Sequence, residues 1–155
     1  MTPAERAALI QRYREGPDVV AAAVAGASEA ELDRRPADGS WSARMVVHHL
    51  ADSEMTSALR VRRLIAEENV AITGYDEELW SRKVYYDRPL ELSLAALRAA
   101  RLSTAEILER MTDGEWVRPG THNEIGVYTP EVWLGIYARH AHEHAEQIRR
   151  AMGRS

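Results

Sequence analysis

From Ser42 to about Glu68 the chain carries neither proline nor glycine, and Val46, Val47, Leu50, Ala58, Val61, Leu64 and Ile65 recur at three- and four-residue steps. That spacing is one face of an α-helix; a half-buried strand would alternate instead. A long helix with one apolar face must bury it against another element, so the chain needs partners of similar length. Pro89 opens a second, whose Leu92, Ala95, Ala96, Ala99, Leu102, Ile107, Leu108 and Met111 carry the stripe to about Thr112. Thr129-Pro130-Glu131 opens a third with a capping hydroxyl, a proline at the first helical position and an acid in the first turn; it runs to Met152, with Gly153 as its stop. Thr2-Pro3-Ala4-Glu5 repeats that start signal, and Gly16-Pro17 is expected to end the helix it opens.

The remaining segments read as connections. A shorter helical piece passes through Val19, Val20 and Val24, and Ser28-Glu29-Ala30-Glu31 is a capping box for one or two turns before Pro36. Pro36 to Ser40 is a turn. Asn69 to Arg88 is a long connection with a short helix over Asp76 to Lys83, and Asp113 to Tyr128 is a loop with a tight hairpin around Asn123-Glu124-Ile125-Gly126. With 155 residues, the chain is expected to form one domain over 1–155, an all-α antiparallel four-helix bundle with extra short helices.

Composition narrows the chemistry. The absence of cysteine excludes disulfide scaffolds, thiolate metal sites and cysteine nucleophiles. A net charge of -4 argues against nucleic acid as partner. No apolar run reaches the roughly 18 residues of a membrane span, and the N-terminal Met1-Thr2-Pro3-Ala4-Glu5-Arg6 resembles neither a secretory leader nor a transit peptide. A cytoplasmic protein is expected. There is no phosphate-cradling glycine motif and no G-x-S-x-G nucleophile elbow.

The anomaly lies in the histidines. Of six, His48 and His49 sit near the start of the first long run, and His140, His142 and His144 within the last helix. There the inward stripe passes through Val132 or Trp133, then Ile136, Tyr137, His140, His144 and Ile148, so two imidazoles occupy positions where the period calls for apolar residues. Residues four apart on one helix face place two ring nitrogens on one ion, and a third imidazole from another helix would complete a site with a position open to water or substrate. His142 is offset by about 200° and is expected to face solvent. His142-Glu143 lacks the second histidine of H-E-x-x-H, because position 146 is Glu. Periodicity does not choose between His48 and His49.

Two blocks carry a family resemblance: Trp41-Ser42 with Val46-Val47-His48-His49-Leu50-Ala51-Asp52-Ser53-Glu54, and Tyr137-Ala138-Arg139-His140-Ala141-His142-Glu143-His144 with Gln147-Ile148. Together they resemble the DinB-like metal-binding four-helix bundles. Tyr75-Asp76-Glu77-Glu78-Leu79-Trp80 and the Gly126-to-Thr129 approach to the last helix look closest to the YfiT-like branch, which carries the name of metal-dependent hydrolases. The resemblance spans roughly residues 40–150 and implies that the histidine before Leu-Ala and both histidines of the C-terminal H-x-x-x-H hold a divalent ion: His49, His140 and His144. Some YfiT-like sequences carry another histidine where this chain has Glu54.

Three neutral imidazoles leave the charge of an ion uncompensated, so bound water would be acidified toward a pKa of about 7, which is hydrolytic chemistry. Zinc is expected, with nickel or iron as alternatives. Asp52 and Glu54 are candidate partners of ligand histidines or general bases. Tyr137 is a candidate to point a hydroxyl into the site. The resemblance implies a small-molecule substrate and a homodimer. Other DinB-like proteins are thiol-dependent transferases or isomerases, for which Arg60, Arg62 or Arg63 would contact carboxylates of the thiol. A non-catalytic metal- or small-molecule-binding module is the reading outside enzymology.

Overall fold

The computed structural model describes residues 1–154. In chain order its elements are α1 (Pro3–Val24), α2 (Glu29–Asp33), α3 (Ala43–Ala66), β1 (Ala71–Ile72), α4 (Glu77–Lys83), α5 (Glu91–Leu108), α6 (Asp113–Trp116), β2 (Gly120–His122), β3 (Gly126–Tyr128) and α7 (Pro130–Met152). The start signals act as read. Thr2 Oγ1 accepts from Glu5 N at 3.2 Å while the Glu5 carboxylate accepts from Thr2 N at 2.7 Å, a reciprocal cap; Ser42 and Thr129 cap α3 and α7 one-sidedly, accepting from Met45 N and Val132 N. Gly153 closes α7 with φ 75°, a left-handed conformation that suits glycine.

The four long helices form a four-membered ring in which α1 and α5 each touch α7 or α3 as well as one another. Side-chain pairings give the directions. Arg6 binds Glu131 near the start of α1, and Arg154 reaches the Ala25 carbonyl at its end, so α1 and α7 run parallel. His48 meets Ser93 and Arg62 meets Thr104, so α3 and α5 also run parallel. Arg98 pairs with Asp18, and Trp133 donates to the Ser57 carbonyl at 2.9 Å, so the two pairs oppose each other. The start of α3 therefore lies beside the late turns of α7, and the long connection after α3 must return the chain the length of the bundle.

Helix α1 does not end at Gly16-Pro17 but continues to Val24. A proline inside a helix leaves the carbonyl four residues earlier without its donor. Here that carbonyl belongs to Tyr13, and it accepts from Arg101 Nη1 at 2.9 Å instead. Gly16 is buried, and only glycine fits there, because a Cβ would fall on the Arg101 guanidinium and 2.9 Å from Ala141 Cβ. Helix α5 ends at Leu108, a turn short of the expected Thr112, and α6 occupies part of the expected loop. The hairpin forms as β2 against β3, antiparallel with His122 opposite Gly126, and β1 adds a parallel pairing to β2 that sequence reading did not foresee.

The core divides into two apolar groups. One gathers Ile10, Tyr13, Val61, Leu64, Leu108, Trp116, Tyr128 and Trp133, and the other Val20, Val46, Val47, Leu50, Leu97, Ala145 and Ile148. Between them lies a polar layer containing His48, His49, Glu54 and Arg101, all at most 1% exposed.

Candidate metal centre

Because α3 opposes α7, His49 in the second turn of α3 meets His140 and His144 on successive turns of α7. One ring nitrogen from each lies within 4.8 Å of the other two. Ring centroids are 5.0 Å apart for His49 and His144, 5.5 Å for His49 and His140, and 4.5 Å for His140 and His144. The two Nε2 atoms of α7 face each other at 3.1 Å. Nitrogens sharing one zinc ion at about 2.0–2.1 Å would be separated by about 3.3 Å, close to the spacing of the His140–His144 pair.

The donor chemistry fits an ion. His144 Nδ1 lies 2.6 Å from Gln147 Oε1, to which it donates its hydrogen, leaving the lone pair at Nε2 directed toward His140. His49 Nδ1 is buried without a hydrogen-bond partner, an exception that calls for an explanation in a native interior. Burial, then the neighbouring His144, pushes the His49 pKa down to about 3. Burial, then His144, His49 and Arg101, pushes His140 down to about 2. His144 is lowered too, by burial, against the opposing influence of Gln147. All three are neutral at pH 7, the state in which imidazole binds a cation.

The other histidines are engaged elsewhere. His48, next in sequence to His49 but about 100° around the helix, has Nε2 2.9 Å from the Arg88 carbonyl and Nδ1 2.8 Å from Ser93 Oγ. With both nitrogens used, it has none to offer an ion. His142 is half-buried rather than turned to water, because its Nε2 donates to the Arg12 carbonyl at 2.9 Å across the α1–α7 contact. His122 lies on β2, where its Nδ1 accepts from Glu124 N at 3.2 Å.

Neither expected carboxylate joins the imidazoles. Asp52 accepts from the Tyr86 hydroxyl at 2.9 Å and has Arg88 3.9 Å away. Glu54 accepts from Arg101 Nε at 2.6 Å, from the Tyr13 hydroxyl and from Ser57 Oγ at 3.4 Å. A cleft of about 180 Å³ opens instead onto His140, walled by Ser53, Arg60, Tyr75, Glu77 and Tyr137 among others. Arg60 Nη1 donates to the Tyr137 hydroxyl at 3.3 Å. Burial, reinforced by Glu124, raises the Glu77 pKa. Arg62 and Arg63 face other partners, Thr104 and Glu67. Glu77 sits at the start of a short connecting helix, and nothing in its local sequence marks it as part of a cleft. Two larger cavities, of about 470 and 460 Å³, contain none of the three histidines.

Comparison with known proteins agrees with this geometry. A 141-residue alignment gives 36% identity to YfiT of Bacillus subtilis, covering 90% of this chain and 79% of that one, and its name is "Putative metal-dependent hydrolase". A relative of the same name from Oceanobacillus iheyensis is 35% identical over 118 residues, 76% of this chain and 69% of its own. The solved structure of Bacillus subtilis YfiT superimposes with a TM-score of 0.91 at 33% identity, over 100% of this chain and 91% of that one, and is described as "a probable metal-dependent hydrolase with an unusual four-helix bundle topology". Residues 12–148 match the DinB superfamily, and the chain belongs to it.

Proposed function

We propose that the protein binds one divalent transition metal ion through His49, His140 and His144 and acts as a metal-dependent hydrolase on a small molecule. The observation that carries this reading is the convergence of three neutral imidazoles, one with a buried and unpartnered nitrogen. Zinc suits an all-imidazole set, and nickel or iron are the alternatives. An ion held there with an open position supplies Lewis acidity, which acidifies water and polarises a carbonyl. Gln147 fixes the tautomer of His144, and no carboxylate of the immediate cluster offsets the ion's charge. Tyr137, with its oxygen held by Arg60, and Glu77, whose pKa burial raises, line the cleft as its acid–base groups in this reading. Asp52 and Glu54, bound to Tyr86 and Arg101, support the framework in this reading and carry no proton to substrate.

The presence of Arg60 in the cleft favours one second reading, a thiol-dependent transferase whose acidic co-substrate the guanidinium would meet. Among the described residues no helix is long and apolar enough to cross a membrane, and we take the protein to act in the cytoplasm. Elemental analysis of protein purified without a histidine tag, beside His140→Ala and His144→Ala, tests the centre. Stoichiometric metal in the parent and its loss in both variants is expected; equal occupancy in all three removes the site.

A further inference from the structure

Arg101 is 0% exposed, and a buried permanent cation is tolerated only when its donors are answered. From α5, its Nε donates to Glu54 Oε2 on α3 at 2.6 Å, its Nη1 to the Tyr13 carbonyl on α1 at 2.9 Å, and its Nη2 to the Tyr137 carbonyl on α7 at 2.9 Å. One side chain thus joins all four long helices. The carboxylate is saturated in turn by the Tyr13 hydroxyl and Ser57. The guanidinium also lies over the Tyr13 ring, 4.4 Å from its centroid.

The place of this junction matters more than its strength. Glu54 follows His49 by five residues, about 7.5 Å along α3, and Tyr137 precedes His140 by three, about 4.5 Å along α7. With the helices opposed, both offsets point the same way, so the guanidinium bridges α3 to α7 about a turn from where they present imidazoles. A bridge there fixes both the separation and the axial register of the two helices. The imidazoles supply no such force, because the one hydrogen-bond contact among them joins His140 to His144 within α7.

We propose that Arg101 and Glu54 are positioning residues for the three-histidine centre, holding α3 and α7 in the register that sets His49 against His140 and His144 before an ion arrives. The inference rests on the metal-binding reading. A preorganised ligand set binds more tightly because its ordering is complete in advance. A buried ion pair adds little net stability over apolar residues of similar volume, so affinity and stability respond differently when it is replaced.

The test is a cobalt(II) titration of the apo-protein, read by visible absorption, alongside thermal unfolding. Arg101→Lys keeps the charge but not the three-way fork. The paired variant Glu54→Leu with Arg101→Met removes both charges without stranding either. Leu97→Ala, a buried change elsewhere on α5, supplies loss of stability without loss of the bridge. The expected result is cobalt affinity at least tenfold weaker, with an altered absorption band, in both bridge variants, and unchanged affinity in Leu97→Ala despite a lower Tm. Bridge variants that fold and bind within twofold of the parent, with its spectrum, overturn the positioning role alone. Affinity that merely tracks Tm across all variants also overturns it. A parent that binds no cobalt overturns the metal reading and, with it, the inference.

Discussion

At the scale of single residues, Gln147 is the cleanest probe of ligand geometry. It is half-buried, touches His144 at Nδ1 and lies outside both apolar groups. Gln147→Leu is expected to leave the fold intact and weaken zinc binding by about 10–100-fold, measured by competition with a chelating dye. Affinity equal to the parent's would show that the Nδ1 contact does not orient the ring. The same scale shows what the sequence could not separate. His48 and His49 both fall on the buried side of α3, at 0% and 1% exposure, so the apolar period admits either. What distinguishes them is that the His48 ring meets hydrogen-bond partners while His49 Nδ1 meets none, and the Arg88 carbonyl that occupies His48 lies 40 residues away.

At the scale of elements, α1 shows where local rules yield to packing. Gly16-Pro17 carries a stop signal, yet the helix passes through because α5 delivers a donor to the Tyr13 carbonyl. No inspection of residues 3–24 reveals this. The long helices, their caps and the hairpin were legible because their signals are local. β1 was not, since two residues become a strand only by pairing with β2 some 50 positions on. Gly16→Ala is expected to lower stability by about 1–3 kcal/mol, the usual range for overpacking, because the added methyl meets the guanidinium and Ala141. A Tm unchanged within 1–2 °C, on the order of a few tenths of a kcal/mol, would mean that the α1–α7 contact is looser than described.

At the scale of the whole molecule, metal removal separates a catalytic ion from a structural one. Two apolar groups flank the polar layer and need no ion to form. Apo-protein prepared by chelation is therefore expected to keep its far-ultraviolet circular dichroism and to unfold cooperatively at a lower Tm than the loaded form. Loss of helix on chelation would assign the ion to folding. The apo-form should also respond to acid in a definite direction. His49 and His140 take up protons near pH 6.5 when unfolded but only near about 3 and 2 when folded. Below pH 6.5 the unfolded chain binds more protons, so stability present above that value is lost progressively as pH falls toward 3. The urea midpoint at pH 5 should lie below that at pH 7.5, and His140→Ala should flatten the difference.

The small sheet has a consequence of its own. β1 and the β2–β3 hairpin lace together the two long excursions that leave the bundle, so the cleft onto His140 has one wall of α3 and α7 residues and another from those excursions, with His122, Glu124, Ile125 and Tyr128 among them. On the sheet side, Glu124 and Ile125 line the cleft and are exposed, and both belong to the hairpin turn rather than to a helix. Substitutions at those two positions would alter the mouth of the cleft without touching the helices that hold the imidazoles, so its shape can vary on one side while the other stays fixed.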